Sequence, residues 1–261
     1  MTVLLIAALI PPFFLLFKVY HMDKVEKEPA NLIVKLFLFG ALTVIPAALI
    51  ESFALTFLNG AMSPYSVVFM LIENFICVAL VEEGVKYVAL KLGSWKHPAF
   101  DYCFDGVVYA VTVSLGFAAA ENIMYVIQYG FATAVLRAVT AIPGHCIFGI
   151  FMGYYYGMAK YGENHGYVAK AHSFRVRAVI IPMLLHGFYD FCATYASTGD
   201  ELIADVMILV FYAFIIVLDV VAFRSIKKYS AGDISVAPQV PINYDVAASE
   251  QVAEKPDTIE F

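Results

Sequence analysis

Long apolar runs alternate with short polar breaks along most of the chain. The runs cover about residues 2–20, 32–58, 66–91, 105–128, 134–159, 177–197 and 202–224. Each approaches or exceeds the roughly 20 residues that an α-helix needs to cross a bilayer. The breaks read HMDKVEKEPAN, NGAMSP, GSWKHPAF, QYGFAT, KYGENHGYVAKAHSFR and STGDE, all polar or carrying turn residues. Lipid offers no hydrogen-bond partners, so spanning segments must satisfy their own backbone. The pattern therefore predicts an all-α, polytopic helical membrane protein with about seven transmembrane helices. The first run, MTVLLIAALIPPFFLLFKVYH, lacks the basic start and small-residue cleavage site of a signal peptide, and it reads as a retained span. From Ser230 the periodicity stops, and SAGDISVAPQVPINYDVAASEQVAEKPDTIEF is polar and contains prolines. The expected organisation is a transmembrane bundle over 1–228 and a disordered cytoplasmic tail over 229–261.

Charge orients this pattern. Lys18, Lys24, Lys27 and Lys35 flank the first break, and Lys91 and Lys96 the third. Lys160, Lys170, Arg175 and Arg177 lie at the fifth, and Arg224, Lys227, Lys228 and Lys255 follow the last run. Only Lys86, inside a run, and Arg137 fall elsewhere. Basic residues mark the cytoplasmic side, so the N-terminus is expected outside and the C-terminus in the cytoplasm. Composition agrees: 62% of residues are hydrophobic, 15% are charged, and the mean hydropathy is +0.79. A net charge of −6 argues against nucleic acid as a partner. Cys77, Cys103, Cys146 and Cys192 are scattered without a CxxC and read as small hydrophobes.

The informative residues are the ionisable ones inside apolar runs. A charge at the helix centre costs roughly 2.5 kcal/mol or more, so such residues face a bundle interior or a wet cavity. LVEEGVKYVAL carries Glu82, Glu83 and Lys86. Lys86 is four residues from Glu82 and three from Glu83, so it can reach either on the helix surface. One lysine neutralises one carboxylate and leaves a spare one about 100° around the helix. A lone pair would be structural glue. A pair with a spare carboxylate is suited to acting as a base.

FAAAENIMY places Glu121 and Asn122 after small residues that allow a close helix neighbour. In IPGHCIFGIFMGYYYG, Gly149, Gly153 and Gly157 recur every four residues, and His145 continues the stripe. In LLHGFYDF, His186 and Asp190 share a face, and a carboxylate there can orient an imidazole or join it on a metal. Each group could also be a satisfied interhelical contact. Glu51, Glu73 and Asp219 stand alone and are assigned no role. No G-x-S-x-G or HExxH is present.

EEGVK, ENIMY, GHCIFGIFMGYYYG and HGFYD, in this order over about residues 70–195, resemble the motifs of the PrsW family of intramembrane proteases, relatives of CAAX-processing endopeptidases and bacteriocin-processing enzymes. The resemblance implies a multi-pass protease of the cell membrane with its catalytic core at about 70–195. Its implied partner is a membrane-anchored protein such as an anti-sigma factor, given a first, site-1-type cut. It implies catalytic roles for Glu82, Glu83, Glu121, His145, His186 and Asp190, with Lys86 and Asn122 supporting. The CAAX relatives carry EExxxR where this chain has EExxK, so which glutamate is the base stays open. A metal also stays open: no cofactor is required by the pattern, and zinc on His145, His186 and Glu121 is possible. Two other classes use similar residues, a zinc-dependent membrane lipid amidase or hydrolase and a proton-coupled transporter. The transporter would often show an inverted repeat, and none is visible.

Span ends and a rise of 1.5 Å per residue place Glu121 and Asp190 about 10 Å from the outer surface, and Glu82 about 20 Å. All three can share a site only if the third span is tilted or broken, or if Glu121 lies outside it. The orientation itself is checked by cysteine labelling in intact cells. Ser63→Cys is expected to react with a membrane-impermeant thiol reagent and Ser235→Cys to be protected; the reverse overturns the topology.

Overall fold

The computed structural model describes residues 2–198 and 201–238. Its helices are α1 (Thr2–Met22), α2 (Ala30–Leu42), α3 (Val44–Ala61), α4 (Val67–Ile72), a π-helical segment (Glu73–Ala79), α5 (Leu80–Ser94), α6 (Cys103–Tyr129), α7 (Phe131–Val139), α8 (Ala141–Asn164), α9 (Val168–Thr198) and α10 (Glu201–Ala231).

Two apolar runs are each split in two by a proline. Pro46 and Pro143 lie three residues beyond the breaks at Thr43 and Thr140. Proline has no N–H for the carbonyl four residues earlier, and its ring crowds that carbonyl. The chain bends there, so the runs 32–58 and 134–159 become α2–α3 and α7–α8. Gly130 (φ +86°) turns α6 into α7, and Gly166 (φ +78°) turns α8 into α9. Both angles favour glycine.

Helix α6 is the centre. It is apolar all round, as a helix surrounded by others should be, and Phe104–Ala119 is buried without interruption. Helices α1, α2, α5 and α8 pack around it, and α9 packs on α8. The glycine stripe makes the α6–α8 contact. A Cβ on Gly153 would strike the carbonyl of Gly106 and Cα of Val107, and one on Gly157 would strike the Cys103 carbonyl. Close backbone approach here is dispersion packing of the kind small-xxx-small stripes provide.

Six helical runs among the described residues are long and apolar enough to cross a membrane: Leu4–Met22, Ala30–Ala61, Cys103–Tyr129, Phe131–Asn164, Val168–Ser197 and Ile203–Ala231. The seventh expected span, 66–91, does not meet that standard because it carries Glu73, Glu82, Glu83, Lys86 and Lys91. It is nonetheless a continuous helical stretch from Val67 to Ser94, and it runs antiparallel along α9. Thr194 bonds Asn74 (3.0 Å), Phe75 packs on Gly187, and His186 meets Glu83 (3.1 Å).

Of the stretch 229–261, the structure describes 229–238. Helix α10 continues to Ala231, and the next residues lie as a strap against the start of α6. Cys103 N–H donates to the Ile234 carbonyl (2.9 Å), and Val236 N–H to the Asp101 carbonyl (2.7 Å). The expected disorder of 239–261 lies outside the described residues.

Gly153→Ala is expected to lower stability by about 1–3 kcal/mol through overpacking, seen as a lower melting temperature in detergent. Gly84→Ala, whose added carbon meets nothing within 4 Å, is expected not to lower it.

Candidate active site

The candidate residues meet because three local features aim them. The π-helical segment ends at Ala79, one residue before α5 begins, and such segments recur at functional sites. Asn74 in this segment uses Nδ2 to cap the Met70 carbonyl (2.7 Å) and Oδ1 to receive Thr194 (3.0 Å). Gly187 then lets α9 approach Phe75: a Cβ there would lie 2.5 Å from the ring. His186, its neighbour, is thereby brought against the first turn of α5. The break at Thr140 separates α7 from α8, so Arg137 and His145 reach α6 from two directions. Ser114 fixes the second of these by donating to the main-chain carbonyl of His145 (2.7 Å).

Lys86 is the hub. Its side chain is fully buried, and its ammonium lies 2.9 Å from Glu82 Oε2, 2.8 Å from Glu83 Oε1 and 3.3 Å from His145 Nδ1. An ammonium has three N–H donors, so all are used. The ring of Phe117 also faces the ammonium, its centroid 4.0 Å from Nζ. An ammonium cannot accept a hydrogen bond. His145 Nδ1 must therefore be the lone-pair nitrogen, and Nε2 carries the proton toward Glu121 Oε2 at 3.0 Å. Both His186 nitrogens face carboxylates: Nδ1 is 3.1 Å from Glu83 Oε1, and Nε2 is 3.1 Å from Asp190 Oδ2. The two imidazoles are 5.3 Å apart, edge to face, and Phe148 stacks on His186 at 4.9 Å.

Thus Glu82, Glu83, Lys86, Glu121, His145, His186 and Asp190 form one connected network. Asn122 joins it indirectly. It accepts from Arg137 Nε (3.0 Å) and donates to the Ala8 carbonyl (2.9 Å), while Arg137 Nη2 binds Glu121 Oε2 (2.6 Å). Glu121 therefore lies inside the network, despite its different depth by residue count.

A cavity of about 690 Å³ opens onto the network. Glu82, Glu121, His145, His186 and Asp190 line it, whereas Glu83 and Lys86 lie behind the wall. The two adjacent glutamates are thereby distinguished: Glu82 faces the cavity, and Glu83 is 0% exposed. Tyr125, Thr133 and Arg137 form the wall at the α7 end, away from the lysine-rich loops.

Two residues were not singled out in the sequence. Arg137 looked like the one basic residue on the outer side, and nothing in its neighbourhood signalled Glu121. Glu51 looked isolated, yet it lines the cavity and its Oε1 is buried without a hydrogen-bond partner.

The donor set suits a metal. Glu82, His145 and His186 each offer one ligand atom within 4.8 Å of the others. Two imidazoles and a carboxylate match a catalytic zinc site that keeps an open position. Glu121 and Asp190 stand behind the imidazoles, as carboxylates orienting metal-bound histidines do. Glu82, Glu83, Glu121 and Asp190 are answered by Lys86, by Arg137 and by His186, whose two nitrogens both face carboxylates. The trio differs from that expected in the sequence, with Glu82 in place of Glu121, because Arg137 and His145 hold Glu121 behind the ring. Lys86 competes with a metal for Glu82 and His145.

The sequence pattern of the PrsW family intramembrane metalloproteases matches residues 28–218. The chain belongs to this family. The match is wider than the motifs at 70–195 and takes in α2, α3 and part of α10. Protease PrsW of Shouchella clausii is 35% identical over 230 residues, 88% of this chain and 98% of that protein. Protease PrsW of Oceanobacillus iheyensis is 37% identical over 206 residues, 79% and 90% of the two chains. Protease PrsW of Bacillus subtilis is 32% identical over 191 residues, 73% and 83%. No solved structure matches. This PrsW-family chain is therefore an intramembrane peptidase, a multi-span protein acting on membrane protein substrates.

Lys86→Met would leave Glu82 and Glu83 buried without their shared cation. Removing one partner of a buried ion pair costs about 3–5 kcal/mol, so a marked fall in thermal stability in detergent is expected. A variant as stable as the parent would remove Lys86 from the centre of this network.

Proposed function

We propose that the chain hydrolyses a peptide bond of a membrane-anchored protein with water activated at Glu82. The supporting observation is that Glu82, His145 and His186, from three helices, converge within 4.8 Å on the wall of one cavity. Hydrolysis inside a bilayer needs an enclosed polar site with a base, an oriented partner for the oxyanion and room for water. Glu82 accepts the water proton as the water oxygen adds to the scissile carbonyl. It then returns that proton to the leaving amine nitrogen as the C–N bond breaks. Glu83 is a positioning residue: it touches Lys86 and His186 but not the cavity. Lys86 fixes the tautomer of His145, and Glu83 and Asp190 hold the two nitrogens of His186, which fixes its ring beside the developing oxyanion. Glu82, His145 and His186 are also the residues that would hold zinc, which would lower the pKa of a water and polarise the carbonyl. The cavity wall at the α7 end supports a cut near the outer end of the substrate's span.

The test is cleavage of a single-pass substrate in proteoliposomes. Glu82→Gln keeps the side-chain volume and is expected to reduce cleavage by about 10²-fold or more, with protein level unchanged. Efficient cleavage by Glu82→Gln would sink the proposal. Chelation assigns the role of Glu82. Loss of activity that zinc restores makes Glu82 a ligand; activity that survives stringent chelation makes it the base.

A further inference from the structure

A second carboxylate cluster lies at the lysine-rich end of the bundle, remote from the cavity. Asp23 follows α1, Glu28 precedes α2, and Asp105 is in the first turn of α6. They are 3%, 2% and 1% exposed, and one oxygen from each lies within 4.8 Å of the others.

The fold fixes one oxygen of each carboxylate and leaves the other free. Asp23 Oδ1 accepts from Val25 N–H (3.2 Å). Asp105 Oδ2 accepts from the N–H groups of Asp101 (3.0 Å) and Tyr102 (2.7 Å). Glu28 Oε2 accepts from the hydroxyl of Tyr109, which also reaches the Ala99 carbonyl (2.8 Å). The remaining oxygens, Asp23 Oδ2, Glu28 Oε1 and Asp105 Oδ1, are buried and receive no hydrogen bond from an N–H or a hydroxyl; Glu28 and Asp105 can hydrogen-bond each other only by sharing a proton. Asp233 in the strap repeats the arrangement: Oδ1 accepts from Phe104 (2.8 Å) and Ile234 (2.9 Å), and Oδ2 is buried and unpartnered. Lys27, the nearby cation, gives its hydrogen bonds to the main-chain carbonyls of Tyr20 and Asp23. Three buried carboxylates, one oxygen of each within 4.8 Å of the others, are unfavourable unless a proton or a metal cation answers them.

We propose that Asp23, Glu28 and Asp105 form a binding site for a hard divalent cation of the calcium, magnesium and manganese class. The donors are all oxygen, without the sulfur or imidazole that selects zinc or copper. They are pre-positioned, because backbone N–H groups or a buried tyrosine hold the second oxygen of each. Burial pushes the Glu28 carboxyl up to about 7, its hydrogen bonds with Tyr109 and Asp105 opposing, so a cation would replace a proton there. The bound ion would clamp the end of α1, the start of α2 and the start of α6, where the strap from α10 also docks. The site is distinct in chemistry and place from Glu82, His145 and His186.

Terbium is the probe, since it replaces calcium on oxygen ligands and luminesces when a nearby tyrosine is excited. Tyr109 sits on Glu28 as the donor. Chelator-treated full-length protein in detergent is expected to give saturable, tyrosine-sensitised luminescence that calcium or manganese displaces. The same cations should raise its melting temperature in a concentration-dependent way, as any ligand of the folded state does. Glu28→Gln and Asp105→Asn should each abolish both responses, while His186→Ala keeps them. The cation-dependent shift of the parent protein is a readout that does not depend on how well Glu28→Gln folds. Absence of that shift overturns the proposal. So does a Glu28→Gln variant that is more stable than the chelator-treated parent while the parent ignores cations, because Glu28 and Asp105 would then share a proton instead.

Discussion

The structure turns on one buried ammonium. Lys86 holds two carboxylates and an imidazole in fixed directions, and its three N–H groups are all spent on them. A charge in that position is costly in a bilayer unless its partners are exact in distance and number. Here the partners are the groups to which the proposed mechanism gives a part. Pairing with Lys86 keeps Glu83 behind the wall, leaves Glu82 at the cavity and sets the tautomer of His145. On the proposed mechanism, stability and reactivity rest on the same contacts.

The bundle around Lys86 is organised to deliver those contacts. Helix α6 supplies an apolar axis, and the glycine stripe of α8 lets that helix meet it at backbone distance. Proline breaks redirect α7 and α8, so Arg137 and His145 both reach Glu121. The π-helical segment and Gly187 bring α9 onto α5. The charged stretch is shielded by more apolar neighbours, which lets it run the length of the bundle although its own composition is too polar for an ordinary span.

Much of this was legible in the sequence. Charges inside apolar runs are expensive, so Glu82, Glu83, Lys86, Glu121, His145, His186 and Asp190 stood out, and the glycine stripe announced a close helix contact. Other features were not legible, for definite reasons. Helical spacing shows which residues share a face but not which of two adjacent glutamates faces a cavity. Arg137 carried an orientation signal that hid its ion pair with Glu121. Asp23 and Glu28 sit in a charged loop, where solvation is the ordinary expectation, and only the fold shows them buried against Asp105. The strap at 232–238 has a polar composition typical of tails, yet its backbone pairs with residues 101–103.

The central claim of the proposed mechanism is that Glu82 activates the water as part of one unit with His145. A double-mutant cycle measures this directly, using single-turnover cleavage by Glu82→Gln, His145→Ala and the double variant. Residues that act together are strongly non-additive. The account predicts that the double variant is no slower than the slower single variant. Losses that multiply, as for independent residues, would contradict it.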